Sequence, residues 1–312
     1  MRPAVFQRAD VLRQGTTVRQ LRRLKKDGVV TVLRRGAYGP TQQHESVPLW
    51  HRHVVLVDAT YPKLDSSAIV SHLSAAALHG LASWPPIRGP VHVSRAISSG
   101  GRRTGTLHVH PAQLTPRDVV VLGGIPVTSP ARTVVDVART EPFETGVVVA
   151  DDALHRKLVD AAELAEALQE QRGRNGAARA ASVLRFADGR SESVGESRSR
   201  IALAVMGLPV PQLQYPVHDD EGTWLARPDF AYPDRRVLGE FDGRGKYGAL
   251  GRGADPASAV FAERLRTQGL EEAGWIVVRW TWDELETPAL IKRRLLMAFD
   301  RAARLAGTSG TG

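Results

Sequence analysis

The sequence predicts a multi-domain α+β chain, and three observations carry that prediction. Its 312 residues are more than one core usually fills, so two or three domains are expected. Helix-period and strand-period apolar runs follow one another with Gly, Pro and Ser punctuation between them. Hydrophobic residues make up 42% and charged residues 24%, the balance of a globular chain. There are no cysteines, which excludes disulfide staples, thiolate zinc sites and thiol catalysis and fits a reducing compartment. No stretch approaches about 18 uninterrupted apolar residues, so no membrane span is expected. The first residues, MRPAVFQRADVLRQG, lack the apolar run of a signal peptide, and a cytoplasmic protein is the expectation.

Charge is unevenly placed. The net charge is +9, and residues 1–40 hold ten Lys and Arg against two acids, Asp10 and Asp27. So concentrated a patch points to a polyanion partner, most simply DNA; the plain alternative is a solvated basic tail. FQRADVLRQG reads as a helix closed by Gly15. TTVRQLRRLKKDG follows, capped by Thr16 or Thr17, with Val18, Leu21 and Leu24 as its inward stripe and Gly28 as its end. Arg19, Arg22, Arg23, Lys25 and Lys26 fall on the outward arc. VVTVLRRGAYG reads as a strand, a tight basic turn and a second strand. Helix, helix and β-wing is the order of a winged helix-turn-helix, here over residues 1–45. In such a unit the basic helix enters a major groove, and Arg34 and Arg35 on the wing meet phosphate. Folds of that kind usually carry a further helix upstream, which the few residues before Phe6 do not supply.

Residues 46–185 read as a second, α+β domain with linker helices. It opens with the apolar run VVLVDAT and a helix, SSAIVSHLSAAALHGLA. Strands VHVSR and TLHVHPA follow, then VVVLGGIPVTS. SPARTVVDVART is a helix capped by Ser129 with Pro130 in its first turn, and its valines are expected to pack on the sheet. ETGVVVADDALHR and VDAAELAEALQEQ are further helices, and the Arg-, Gly- and Ala-rich stretch after them is part helix and part linker. His72 and His79, seven residues apart on one helix, read as packing or capping histidines; His108 and His110 alternate on a strand.

Residues 186–305 give the order α-β-β-β-α-β-α, an α/β sandwich with a mixed sheet, and 306–312 read as a disordered tail. The strand VLGEFD carries two acids, which is costly in a core unless they are paired. Alternation along it puts Glu240 and Asp242 on one face. Asp229 starts the neighbouring strand and Glu196 sits on the leading helix, so both can converge on that face. Gathered carboxylates repel unless a cation or protons neutralise them. The alternative is ion pairing to Arg264, Arg266 or Arg279. Trp275, Trp280 and Trp282 read as core and sheet packing.

Two parts of the chain resemble known families. The basic helix ending in Lys25-Lys26-Asp27-Gly28, the wing Arg34-Arg35-Gly36-Ala37-Tyr38, SAAALHGL at 74–81 and GIPVTSPARTVVDVAR at 124–139 resemble AbiEi-type antitoxins of type IV toxin–antitoxin systems, over roughly residues 6–155. That resemblance implies autoregulatory DNA binding by the front domain and a cognate toxin as partner. Glu196, Pro228-Asp229-Phe230, Glu240-Phe241-Asp242-Gly243 and GWIVVRWTWDEL at 274–285 resemble the very-short-patch-repair-like branch of the PD-(D/E)XK restriction-endonuclease superfamily, over about residues 190–300. It implies a Mg²⁺ ion held by Asp229, Glu240 and Asp242, with Glu196 and Lys246 completing a phosphodiester-cleaving site. Asp242 stands where the superfamily motif has Lys, and Lys246 stands near a position that often holds His in that branch. Three readings follow: a DNA-binding regulator of antitoxin type with an endonuclease-like domain that has lost catalysis, an active Mg²⁺-dependent endonuclease, and an antitoxin that acts only by neutralising its toxin.

Overall fold

Thr17 starts the basic helix. Its Oγ1 accepts the Gln20 N–H at 3.2 Å while Gln20 Oε1 accepts the Thr17 N–H at 2.7 Å, a reciprocal capping box. In the computed structural model, which describes residues 3–97, 100–243 and 256–309, this helix belongs to the first of two units, residues 1–187; the second is 188–312.

The first unit opens with β1 (Phe6–Gln7), α1 (Arg8–Arg13), α2 (Val18–Lys26), β2 (Val30–Arg34) and β3 (Ala37–Pro40). The strands form an antiparallel sheet in the order β1-β3-β2. Of the expected inward stripe of α2 only Leu21 is buried; Val18 and Leu24 are each 36% exposed. So small a sheet covers one narrow strip of helix, and the flanking apolar positions stay at the surface.

α3 (Thr41–Glu45) and α4 (Arg52–Thr60) lead to a larger sheet. The run VVLVDAT lies within α4, where Val55, Val57 and Ala59 are buried; an apolar run of that length fits a strand or a buried helix equally well. The segment expected as one helix from Ser66 divides instead. Ile69 and Val70 form β4 (Ile69–Val70), and α5 (His72–Leu78) begins only after Ser71. Two β-branched residues at the centre of a sheet outweigh the helical period here. β5 (Val91–Arg95), β6 (Leu107–Pro111), β7 (Val119–Leu122) and β8 (Ile125–Thr128) complete a sheet of order β6-β5-β4-β8-β7. β5 pairs in parallel with β6 and β4 with β8, while β4–β5 and β7–β8 are antiparallel. Gly123 and Gly124, at φ +58° and +81°, turn the β7–β8 hairpin in the left-handed region that two-residue turns require.

α6 (Pro130–Thr140), α7 (Phe143–His155), α8 (Ala161–Glu170) and α9 (Ala177–Phe186) close the unit. Ser129 caps α6 by accepting the Arg132 N–H at 3.4 Å, with Pro130 in the first turn. Val134, Val135 and Val137 are buried on α6, which packs with α5, α7, α8 and α9. Beneath this layer Arg132 bridges two carboxylates, Asp136 at 2.9 Å and Asp118 at 3.3 Å, and Arg139 reaches Asp136 from the other side at 3.0 Å.

The second unit runs α10 (Val194–Val205), β9 (Gln212–Leu213), β10 (Val217–His218), β11 (Trp224–Ala226), β12 (Phe230–Tyr232), β13 (Val237–Asp242), α11 (Pro256–Glu272), β14 (Ile276–Thr281), α12 (Trp282–Leu285) and α13 (Pro288–Ser309). Its main sheet, of order β14-β13-β12-β9, is mixed: β13 and β14 are parallel and the other pairs antiparallel. Trp280, on the edge strand β14, is fully buried and donates Nε1–H to Ser199 Oγ at 2.8 Å, a packing role. A Cβ on Gly239 would lie 2.6 Å from the Trp280 ring, so glycine is what lets the indole rest on β13. The tail expected from residue 306 begins inside α13, whose Ala-rich last turns continue the helix to Ser309; residues 310–312 lie outside the described residues.

Candidate functional site

On α2 the capping box fixes the first turn, and the following residues Arg19, Arg22, Arg23, Lys25 and Lys26 are all exposed. Arg23 makes a 3.5 Å contact with Asp27 one turn on, at a surface position where such a pair contributes little. The wing is less uniform than the sequence implies. Arg35 is exposed and its carbonyl accepts from Lys63 Nζ at 2.9 Å. Arg34 is half-buried, its Nε and Nη1 have no hydrogen-bond partner among the described residues, and burial lowers its pKa. Of the candidate DNA contacts, those fully presented to solvent are the five on α2 and Arg35.

The acids of the second unit gather around the start of β12 and the end of β13. Asp229 precedes β12, one step beyond the Phe230–Gly239 pair, and its Oδ2 accepts the Phe241 N–H at 2.7 Å. Burial first, then Glu196, with smaller contributions from Glu240 and Glu192, pushes its carboxyl up to about 7, against the lowering effect of the Phe241 N–H. Glu196 is buried in the first turn of α10. Ser193 Oγ donates to its Oε1 at 2.7 Å, while the Glu192 N–H at 2.9 Å and Gln214 Nε2 at 3.0 Å donate to its Oε2. Glu240 is an ion-pair acceptor: Arg266 donates to both oxygens, at 2.6 and 3.0 Å, and Arg279 donates to Oε2 at 2.9 Å. The parallel register explains the second contact, since Glu240 and Arg279 are direct partners across β13 and β14. Asp242 shares that face, half-buried opposite Thr281. Lys246 lies outside the described residues.

Chemically, Glu196 and Asp229 are fixed by hydrogen bonds to the chain, and a cation at Glu240 has to compete with two guanidinium groups. Among the described residues, the grouping compact enough to hold a metal, with ligand atoms within 4.8 Å of one another, is made of histidines instead: His72, His92 and His110. The sequence paired His72 with His79, whose Nε2 in fact meets the Thr128 carbonyl at 2.7 Å. The signal that finds the trio is a sheet order, not a spacing: β6, β5 and the end of β4 lie side by side.

Three comparisons with known proteins bear on this chain. The family model of the AbiEi antitoxin C-terminal domain matches residues 68–186. Two Mycobacterium tuberculosis proteins, uncharacterized protein MT2308 of strain CDC 1551 / Oshkosh and uncharacterized protein Rv2248 of strain ATCC 25618 / H37Rv, are each 33% identical to it over 235 residues, 75% of this chain and 82% of theirs. The crystal structure of the RV2827C protein from Mycobacterium tuberculosis aligns with 59% of this chain and 72% of its own, at 17% identity and a TM-score of 0.37. The chain belongs to the family of the two mycobacterial relatives and carries an AbiEi antitoxin C-terminal domain over residues 68–186.

Proposed function

We propose that the protein is a DNA-binding regulator of antitoxin type, in which the front of the chain binds DNA and the AbiEi-type domain serves a cognate toxin partner. The observation that carries the reading is the run of exposed cations on α2, Arg19, Arg22, Arg23, Lys25 and Lys26, on a helix with its own cap. The order strand, helix, helix, hairpin around it is that of a winged helix-turn-helix, with α2 as the recognition helix. Phosphate contacts supply most of the affinity in such a mode and positioning follows from them. The test is DNA binding by the full chain and by a variant with Arg22, Arg23, Lys25 and Lys26 all changed to Ala. These side chains are exposed, so the variant folds and its affinity collapses; unchanged affinity defeats the reading.

One observation favours a second reading, in which the rear unit is a Mg²⁺-dependent endonuclease. Asp229, half-buried beside Glu196 and Glu240, holds a proton near neutrality, and a divalent cation could replace that proton. In that reading Asp229, Glu240 and Asp242 ligate the ion, Glu196 orients the group, and Glu240 gives up a guanidinium partner. The assay is cleavage of duplex and single-stranded DNA in Mg²⁺ or Mn²⁺. Cutting abolished by both Asp229→Ala and Glu240→Ala supports it, and absence of cutting by the unaltered chain leaves the binding reading.

A further inference from the structure

Strand register brings four histidines to one face of the larger sheet. β5 and β6 pair in parallel with His92 opposite His108 and Ser94 opposite His110, and side chains two residues apart share a face. Ser71, at the end of β4, donates its N–H to the His92 carbonyl at 3.1 Å, so His72 leaves the strand beside β5. The His72 ring then stacks on His110 at 3.6 Å between centroids, and His92 stands 5.1 Å from His110 and 5.9 Å from His72. Three elements thus contribute one imidazole each, with one ligand atom of each ring within 4.8 Å of the others.

We propose that His72, His92 and His110 form a binding site for one first-row divalent cation of the zinc type. His92 Nδ1 and His110 Nε2 are 3.2 Å apart. Two nitrogens on a tetrahedral Zn²⁺, each about 2.0–2.1 Å from the ion, stand about 3.3 Å from each other. His72 and His92 are buried and His110 is half-buried, and burial is the first cause that holds all three rings neutral, the form that ligates. Orientation is built in as well. Ser71 Oγ lies 2.9 Å from His72 Nδ1 and accepts from Ser94 Oγ at 2.9 Å, which leaves His72 Nε2 for the ion.

Two further features separate this cluster from ordinary packing. As filler, imidazoles are a poor choice, because each carries two polar nitrogens into a layer where an apolar ring carries none. His72 also sits at φ +53°, a backbone region that costs a non-glycine residue about 1–3 kcal/mol and persists where the surroundings hold it. Of the guanidinium groups that act on the cluster, Arg132 and Arg139 are offset by Asp118 and Asp136, and Arg103 acts on His92 and His110. Three imidazoles without thiolate or carboxylate suit Zn²⁺, Cu²⁺ or Ni²⁺ rather than the oxygen-seeking Mg²⁺ or Ca²⁺. They leave the fourth tetrahedral position to water or an outside ligand. The site lies within the AbiEi domain and does not depend on DNA binding by α2.

The experiment uses the full chain, purified without a histidine tag, stripped with a chelator and titrated with Zn²⁺ and with Co²⁺. The expected result is one ion per chain, a tetrahedral Co²⁺ absorption band, and a Tm that rises with Zn²⁺. His92→Ala and His110→Ala each weaken binding about tenfold or more, and Ser71→Ala by about 10–100-fold, the usual effect of removing an orienting partner. His218→Ala, on β10 of the other unit, leaves binding unchanged. Should a histidine variant fail to fold, imidazole ¹⁵N shifts in the unaltered chain report instead: Zn²⁺ must move His72, His92 and His110. No ion retained, binding unchanged in both folded histidine variants, or shifts confined to other histidines overturns the proposal.

Discussion

Arg266 holds Glu240 through two parallel hydrogen bonds, Nη1 to Oε1 at 2.6 Å and Nη2 to Oε2 at 3.0 Å. Arg279 adds a third from the neighbouring strand at 2.9 Å. That is how an acid comes to be tolerated on a strand whose first three residues are fully covered: its charge is met by guanidinium groups on the same sheet face. Arg266→Met is expected to destabilise the chain by about 1–3 kcal/mol, the worth of charged hydrogen bonds at a largely covered carboxylate. The double variant with Arg279→Met should lose more than the sum of the two single changes, because only it removes both guanidinium partners that Glu240 has among the described residues. Urea denaturation followed by tryptophan fluorescence measures both; strict additivity counts against a shared acceptor.

Asp229 makes stability depend on pH in the sense opposite to a salt-bridged acid. Its carboxyl titrates near 3.8 when free and at about 7 in the folded chain, so between those values the folded state keeps a proton that the unfolded state has lost. Its favourable balance is complete below about pH 4, erodes as pH rises toward 7 and stays lost above that. Asp229→Asn removes this dependence while keeping an oxygen for the Phe241 N–H. Relative to the unaltered chain, the variant should gain stability at pH 8 and not at pH 4. Denaturation midpoints at the two pH values decide it, and equal differences at both remove Asp229 as the source.

Arg132 is the most exposed to consequence among the charges of the AbiEi domain, because it is itself only 3% exposed to solvent and bonds two buried carboxylates. Arg132→Ala leaves Asp118 and Asp136 short of a partner in a covered layer. Breaking such a pair from one side costs about 3–5 kcal/mol. Arg132→Lys should rescue only part, since an ammonium cannot present two N–H groups in the fork that meets both acids. Thermal or urea unfolding of the two variants checks this, and a full rescue by Lys would mean that charge alone matters at this position.

The sequence made some of this legible and hid the rest for physical reasons. Alternation along VLGEFD was enough to put Glu240 and Asp242 on one face, because strand period is local. The guanidinium partners of Glu240 were nameable but not decidable, since Arg266 and Arg279 reach it through a parallel pairing that closes only after α11. The cap at Ser129 was readable from residue type, and that of α2 was narrowed to Thr16 or Thr17, of which Thr17 is the cap. The division of residues 66–82 into a strand and a shorter helix was not, because Ile69 and Val70 obey the sheet around them. The histidine trio was the hardest to see: it depends on β5 and β6 running parallel and on β4 lying beside β5, and neither adjacency leaves a mark in local spacing.

DNA binding by α2 should show itself first in salt dependence. Each phosphate neutralised releases condensed counterions, so log K falls against log salt with a slope of about −0.9 per contact on duplex DNA. Arg22→Ala and Lys26→Ala remove exposed cations from the same helix without touching Leu21, its buried anchor. Each should flatten the slope by about 1 and weaken binding by a similar factor on every sequence, the mark of a phosphate contact. A residue that reads a base edge instead loses about 1–3 kcal/mol on its preferred sequence alone. Arg34→Ala should change the slope little, because that side chain is drawn into the protein rather than presented on the wing. Binding isotherms at several salt concentrations, on one specific and one random duplex, separate these outcomes. Slopes unchanged in both α2 variants would place the DNA contact elsewhere on the chain.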